Sequence, residues 1–201
     1  MSEHWDRPAM VAEGERVRVE PLAAEHEDAL WQAGCDEEIW RFMPVNAAAS
    51  REHFAHWLQD ALRRSATGEE AAFAIVDLGS GAPIGSTRYL ALRPEHRGLE
   101  IGWTWLAPAW WRTGANVETK LLLLTHAFEA LGAIRVEFKT DELNERSRKS
   151  LAGLPAQFEG ILRSHMIVRG DVIRDSAYYS VIASEWPAVR AALRARLEHH
   201  R

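Results

Sequence analysis

The chain has 201 residues, enough for one domain with a sizeable core, and its 47% apolar and 26% charged residues are ordinary for a soluble globular protein. A formal net charge of -5 argues against nonspecific nucleic-acid binding, and a single cysteine, Cys35, excludes an internal disulfide. The longest strongly apolar run, LLLLTHAF, is too short to span a bilayer, and MSEHWDRPAMVAEGE lacks the basic start and apolar run of a signal peptide. A cytoplasmic protein without a membrane partner is therefore expected.

In chain order, residues 1–15 read as a loose arm ahead of one domain over residues 16–198. RVRVEPL alternates and predicts a first strand from Arg16 to Pro21. AAEHEDALWQAG has helical spacing, and a second short helix is predicted in DEEIWRFM. Ser50 is a plausible N-cap for a third helix, in which Phe54, Trp57, Leu58, Ala61 and Leu62 recur at helical intervals. AAFAIVDL and IGSTRYLAL, joined by GSGAP, predict a hairpin. A further strand follows from Gly98 to Ala107. APAWWRTGAN links it to a long helix over residues 117–131, stopped at Gly132. AIRVEFKT is the next strand, and NERSRKSLAGL is a shorter helix capped by Asn144. QFEGILRSHMIV and DSAYYSVIA are two final strands, and SEWPAVRAALRARL closes the chain with Pro187 in its first turn. No repeat or linker divides this order, which predicts one mixed α/β domain.

The link WWRTGAN, at the mouth of a helix, can be read as a plain turn or as an anion cradle. A helix N-terminus offers unpaired N–H groups and the positive end of its dipole. Gly114 would let the backbone approach a phosphate, and Arg112 would add a cation. The stretch is neither a Walker A motif nor GxGxxG. Elsewhere, His53 and His56 stand three residues apart with no third ligand in view, so no metal is expected. Trp40, Phe42 and Trp57 suit either an aromatic pocket or core packing. His165 could face a cleft or pack in the core, and one of Tyr178 and Tyr179 must face inward. Glu118 follows the link and favours the helix dipole, a structural role.

The order of elements resembles the GNAT superfamily of acyl-CoA-dependent N-acetyltransferases over about residues 16–197. The resemblance is carried by EIGWTWLAPAWWRTGANVETKLLLLTHAFEALGAIRVEFKTDELNERSRKSLAGL, which looks like the superfamily's central strand, pyrophosphate loop, helix, next strand and Asn-containing helix. RVRVEPLAAEHEDALW and DSAYYSVIASEWP look like the opening and closing segments of the ribosomal-protein N-terminal (Rim-type) acetyltransferase-like branch. The loop departs from the usual family pattern: Trp111 and Asn116 occupy its first and last positions, and Arg112 stands where a second glycine is common. Leu154-Pro155 replaces a usual Leu-Gly.

This resemblance implies an α/β (α+β mixed) fold with a mostly antiparallel twisted sheet, splayed between two parallel strands and flanked by helices. It implies acetyl-CoA as cosubstrate, lying between the strand that ends near Leu106 and the strand from Ile134 to Lys139. Trp105, Leu106, Arg112, Thr113, Gly114, Ala115, Asn116 and Val117 would hold it. Asn144 would contact its pantetheine arm, and Arg148 or a neighbouring cation would reach its 3′-phosphate. The implied reaction is direct attack of a primary amine on the thioester, with Glu100 as general base and Ser147 assisting the leaving sulfur. The acceptor would be a protein N-terminal amine or a small-molecule amine, and the acidic charge balance favours a cationic one. A noncatalytic acyl-CoA-binding module of the same fold is the alternative. The tryptophans and late strands permit a homodimer.

Overall fold

The computed structural model describes Trp5 and residues 8–199. Eight strands form one sheet: β1 (Ala12–Glu13), β2 (Val17–Pro21), β3 (Ala71–Asp77), β4 (Pro83–Arg93), β5 (Gly98–Leu106), β6 (Arg135–Asp141), β7 (Gln157–Val168) and β8 (Val172–Ile182). Their spatial order is β1-β2-β3-β4-β5-β6-β8-β7. All neighbours run antiparallel except β5 and β6, which are parallel. The helices are α1 (Glu27–Gly34), α2 (Glu37–Trp40), α3 (Arg51–Ala66), α4 (Ala115–Thr125), α5 (Glu145–Ala152) and α6 (Trp186–Glu198).

The sheet buries its two faces differently. On one face Tyr89, Ile101, Val136, Phe138, Tyr179 and Val181 pack with Leu123 and Leu124 of α4 and with Val189 and Leu193 of α6. On the other face α1, α2 and α3 cover Ala72, Ala74, Val76 and Trp105. This second core takes nothing from β6, β7 or β8, so beyond β5 that face is polar. The alternating residues Ser176, Tyr178 and Ser180 of β8 stand there, opposite the buried Ala177, Tyr179 and Val181.

Trp40 and Trp57 belong to the second core rather than to a pocket. The centroids of their rings lie 5.4 Å apart, and Trp105 sits 5.5 Å from Trp40. Edge contacts of this kind add to the apolar area that the rings bury. Phe42, the third member of that aromatic group, lines the cleft described below.

The α3 cap forms as the sequence predicts, with the Ser50 side chain accepting from the His53 amide at 3.2 Å. Ser50→Ala should lower the free energy of unfolding by about 1 kcal/mol, read as a shift in the urea midpoint. An unchanged midpoint would mean the cap adds nothing to stability.

Two local differences have physical reasons. Residues 1–4, 6 and 7 of the expected loose arm lie outside the described residues, but the rest of the arm is tied down. Trp5 is buried and its indole donates to the Leu131 carbonyl at 2.8 Å, while β1 pairs with β2. The anchor for the turn into β2 is Glu118, whose carboxylate accepts from the amides of Glu15, Arg16 and Val17 at 2.8–2.9 Å. A contact across a hundred residues leaves no local signal in the arm itself. The long central helix also starts two residues earlier than expected. It ends at Thr125 and continues as a π turn over His126–Ala130 before Gly132, whose φ of 66° stops it.

Candidate active site

The parallel pair β5–β6 pairs only through Gly98–Arg135, Leu99–Val136 and Glu100–Glu137. Beyond Glu100 the strands part. A cleft of about 980 Å³ opens at this divergence. Its walls are the end of β5, the start of α4, the end of β6, α5, the Phe42–Pro44 loop and Met166 and Arg174 of the β7–β8 hairpin.

Glu100 lies at the point of divergence, lining the cleft with only 4% of its surface exposed. Its Oε2 lies 3.2 Å from Lys139 Nζ. Burial raises its pKa above the ordinary carboxylate value, and the Lys139 charge partly offsets that rise. Strand alternation around Leu99 and Ile101 is what turns Glu100 to the cleft face.

On β5 a bulge interrupts the ladder. Ser86 pairs with Trp105 and Arg88 pairs with Gly102, leaving two residues, Trp103 and Thr104, opposite Thr87. Trp103 has a φ of 51°, a left-handed backbone that side chains adopt at a cost.

The loop before α4 has alternating character. Arg112 has a φ of 65° and Gly114 a φ of 92°. A glycine adopts such a conformation freely, whereas Arg112 takes it at a cost of about 1 kcal/mol. Arg112, Gly114, Asn116 and Val117 line the cleft, with the first-turn amides of α4 at its mouth. Asn116 Nδ2 donates to Ser150 Oγ at 3.1 Å, joining the start of α4 to α5. Thr113 and Ala115 are not among the lining residues. Thr113 Oγ1 turns back to the Trp110 carbonyl at 2.9 Å, and Ala115 is fully buried in a small core with Val17 and Leu106.

On α5, Asn144 and Ser147 both line the cleft, and the Asn144 side chain caps the helix by accepting from the Ser147 amide at 3.0 Å. Arg148 is turned away. It donates to the Tyr179 hydroxyl at 3.3 Å and to the Glu142 carbonyl at 3.2 Å, so the expected contact with a cofactor phosphate does not fall to it. One residue's rotation, about 100°, separates it from the Ser147 face. Near the loop and α5 the cations lining the cleft are Arg112, Arg146, Lys149 and Arg196, and Arg146 stacks over the Trp111 ring at 3.8 Å. The indole of Trp111 donates to the Leu106 carbonyl at 2.8 Å, so this unusual loop residue braces the end of β5. Trp105 and Leu106 line the cleft where β5 ends.

Three cationic residues were missed from the sequence. Lys139 pairs with Glu100. Lys120 is buried in the cleft wall with Nζ 2.7 Å from Thr104 Oγ1 and over the Phe138 ring, and burial pulls its pKa down to about 7. Arg174 is buried at the far end of the cleft. A lysine inside VETKLLLL was a readable signal for Lys120; the other two depend on strand pairing. His165 is not among the lining residues and bonds Ser176 Oγ at 3.0 Å. Among the described residues, no helix is long and apolar enough to cross a membrane.

This geometry has counterparts. The family model described as "Acetyltransferase (GNAT) domain" matches residues 16–154. An uncharacterized N-acetyltransferase of Bacillus licheniformis, p20, is 26% identical over 172 residues, covering 86% of this chain and 96% of its own. A GCN5-related N-acetyltransferase from Brucella melitensis superposes with a TM-score of 0.86 at 34% identity, covering 93% of this chain and 85% of its own. Mycobacterium smegmatis RimJ, solved in complex with CoA-disulfide, shares the fold with a TM-score of 0.79 at 20% identity over 94% of this chain and 95% of its own. The match begins before β2 and runs past α5, across the strands, loop and helix that build the cleft, and the chain therefore belongs to the GNAT family as an acyl-CoA-dependent N-acetyltransferase.

Proposed function

We propose that the protein transfers an acetyl group from acetyl-CoA directly to a primary amine within a ternary complex, the acceptor being a protein N-terminal amine or a small-molecule amine. The observation that carries this reading is the buried Glu100 at the point where β5 and β6 part, facing the same cleft as the amides at the start of α4. Arg112, Gly114, Asn116 and Val117 would hold the cofactor pyrophosphate, as first-turn amides and a left-handed loop suit an anion. Arg146 and Lys149 are the better placed cations for the 3′-phosphate.

Acetyl-CoA supplies the activated carbonyl. The chain must then neutralise an amine that is mostly protonated near neutrality, since an α-amino group titrates near ~8. Glu100 accepts that proton, its raised pKa bringing it closer to the amine. A backbone amide at the Trp103–Thr104 bulge is the candidate donor for the developing oxyanion. Ser147 and Lys120 are the candidate proton donors for the departing thiolate.

The test is calorimetric titration with acetyl-CoA, CoA and dephospho-CoA, followed by thiol-release assays on a panel of primary amines. Micromolar binding of the first two and thiol release with an amine are expected, with dephospho-CoA binding more weakly. Binding without transfer to any amine would favour the noncatalytic acyl-CoA module. No binding at all would overturn the reading.

A further inference from the structure

Arg174, near the start of β8, is a buried cation held by no hydrogen bond or ion pair among the described residues. It is 6% exposed and lines the cleft, and its Nε is buried without a hydrogen-bond partner. Among the described residues its guanidinium makes no hydrogen bond, ion pair or ring contact. A guanidinium keeps its charge, so burying one unpaired is expensive. The other deeply buried arginine, Arg88, also leaves its Nε without a partner, but the rest of its guanidinium is engaged. Arg88 donates to Glu70 at 2.9 Å and lies over the rings of Trp57 and Trp103.

Asp141 and Glu100 lie near enough to favour the Arg174 charge, but among the described residues neither carboxylate bonds to it. Glu100 is engaged by Lys139 at 3.2 Å. Asp141 accepts from the Leu143 amide at 2.9 Å. Lys120 adds a further cationic site in the same wall when protonated. At this end of the cleft Arg174 and Lys139 stand against Glu100 and Asp141, so what Arg174 lacks is a hydrogen-bond partner for its fork.

The position is on the acceptor side. Arg174 pairs in register with Met166 on the β7–β8 hairpin, and the hairpin's Arg169 amide donates to the Pro44 carbonyl at 3.0 Å. Arg174 thus belongs to the wall made by the hairpin and the Phe42–Pro44 loop, whereas the amides suited to pyrophosphate lie at the start of α4.

Resting on the acetyl-transfer reading above, we infer that Arg174 receives a carboxylate carried by the acceptor, which makes the acceptor class amines that bear a carboxylate, such as free amino acids. A carboxylate matches the guanidinium fork with two parallel hydrogen bonds. A phosphate dianion would fit worse, because it would bring a second negative charge toward Glu100 and Asp141.

The experiment compares matched acceptors with the wild-type protein and acetyl-CoA: each free amino acid, its amide, and O-phosphoethanolamine as the phosphate-bearing amine. The free acid is expected to exceed its amide in kcat/KM by roughly 10- to 100-fold, the range for hydrogen bonds to a charged group. Arg174→Gln should collapse that ratio toward one through KM, and Arg174→Lys should recover part of it, with CoA affinity unchanged in both. A wild-type preference for amides or for O-phosphoethanolamine would overturn the inference, and needs no variant to fold. Should no amine be acetylated, N-acetyl amino acids and their amides are titrated into the CoA-loaded protein. Tighter binding of the acids would uphold the Arg174 site while the transfer reading fails; equal or absent binding would overturn the site.

Discussion

Replacing Glu100 with glutamine is expected to lower kcat by about 100-fold or more, the usual contribution of a positioned general base, while the Kd for acetyl-CoA stays within a factor of two or so. Glutamine keeps the shape and can still accept from Lys139, whose Nζ lies 3.2 Å away, so the fold loses little. What it cannot do is take a proton. The pH profile separates this from a positional role. Burial raises the Glu100 pKa, so the acid limb of kcat/KM in the wild type should lie above the ordinary carboxylate range. The sign follows directly: activity needs the ionised form, hence falls as the pH drops through that raised value. Lys139 holds the pKa down, so Lys139→Met should move the acid limb to higher pH. Turnover of Glu100→Gln equal to the wild type, or a limb that survives the substitution, would remove Glu100 from the mechanism.

Much of this was legible because it is local or periodic. The α3 face of Phe54, Trp57, Leu58 and Ala61 and its Ser50 cap follow from helical spacing alone. Glu100 could be singled out because a carboxylate between Leu99 and Ile101 must point to the opposite side of a strand from its apolar neighbours. Asn144 stood where a helix needed a cap. Arg148 points away from the cleft by a single step of helical phase, which no sequence pattern in NERSRKS resolves. The Thr113 hydroxyl turns to the Trp110 carbonyl, which leaves its backbone amide as the group that the loop could offer a cofactor. The charges that decide the acceptor end were illegible for another reason. Lys139 meets Glu100 only because β5 and β6 pair in parallel register, and Arg174 reaches the cleft only through β8, which lies on the far side of β6. Neither neighbour lies close in sequence, so net composition was the one charge signal available, and it carries no information on which charges meet at the cleft.

Glu118→Ala is expected to lower stability by about 2 kcal/mol, and with it Tm by roughly 4–8 °C for a chain of this size. The carboxylate is 4% exposed and accepts from three consecutive backbone amides, those of Glu15, Arg16 and Val17. Alanine would leave the buried Val17 amide without its acceptor at the entry to β2, a cost of about 1–3 kcal/mol, while the amides of Glu15 and Arg16 lie nearer the surface and cost less. The turn packs closely on the carboxylate: a Cβ on Gly14 would lie 2.4 Å from the Glu118 side chain. Because Glu118 sits in the first turn of α4, its loss also removes a negative charge from the positive end of that helix. Glu118→Gln, which keeps one acceptor oxygen, should fall between the two. The same first turn carries Asn116 and Val117, so the substitution couples stability to the cofactor loop: at temperatures below the lowered Tm, CoA affinity should fall along with the anchoring of β2. Thermal unfolding with and without CoA reads both effects at once. A loss of less than 1 kcal/mol would mean that the turn before β2 holds its shape without the carboxylate.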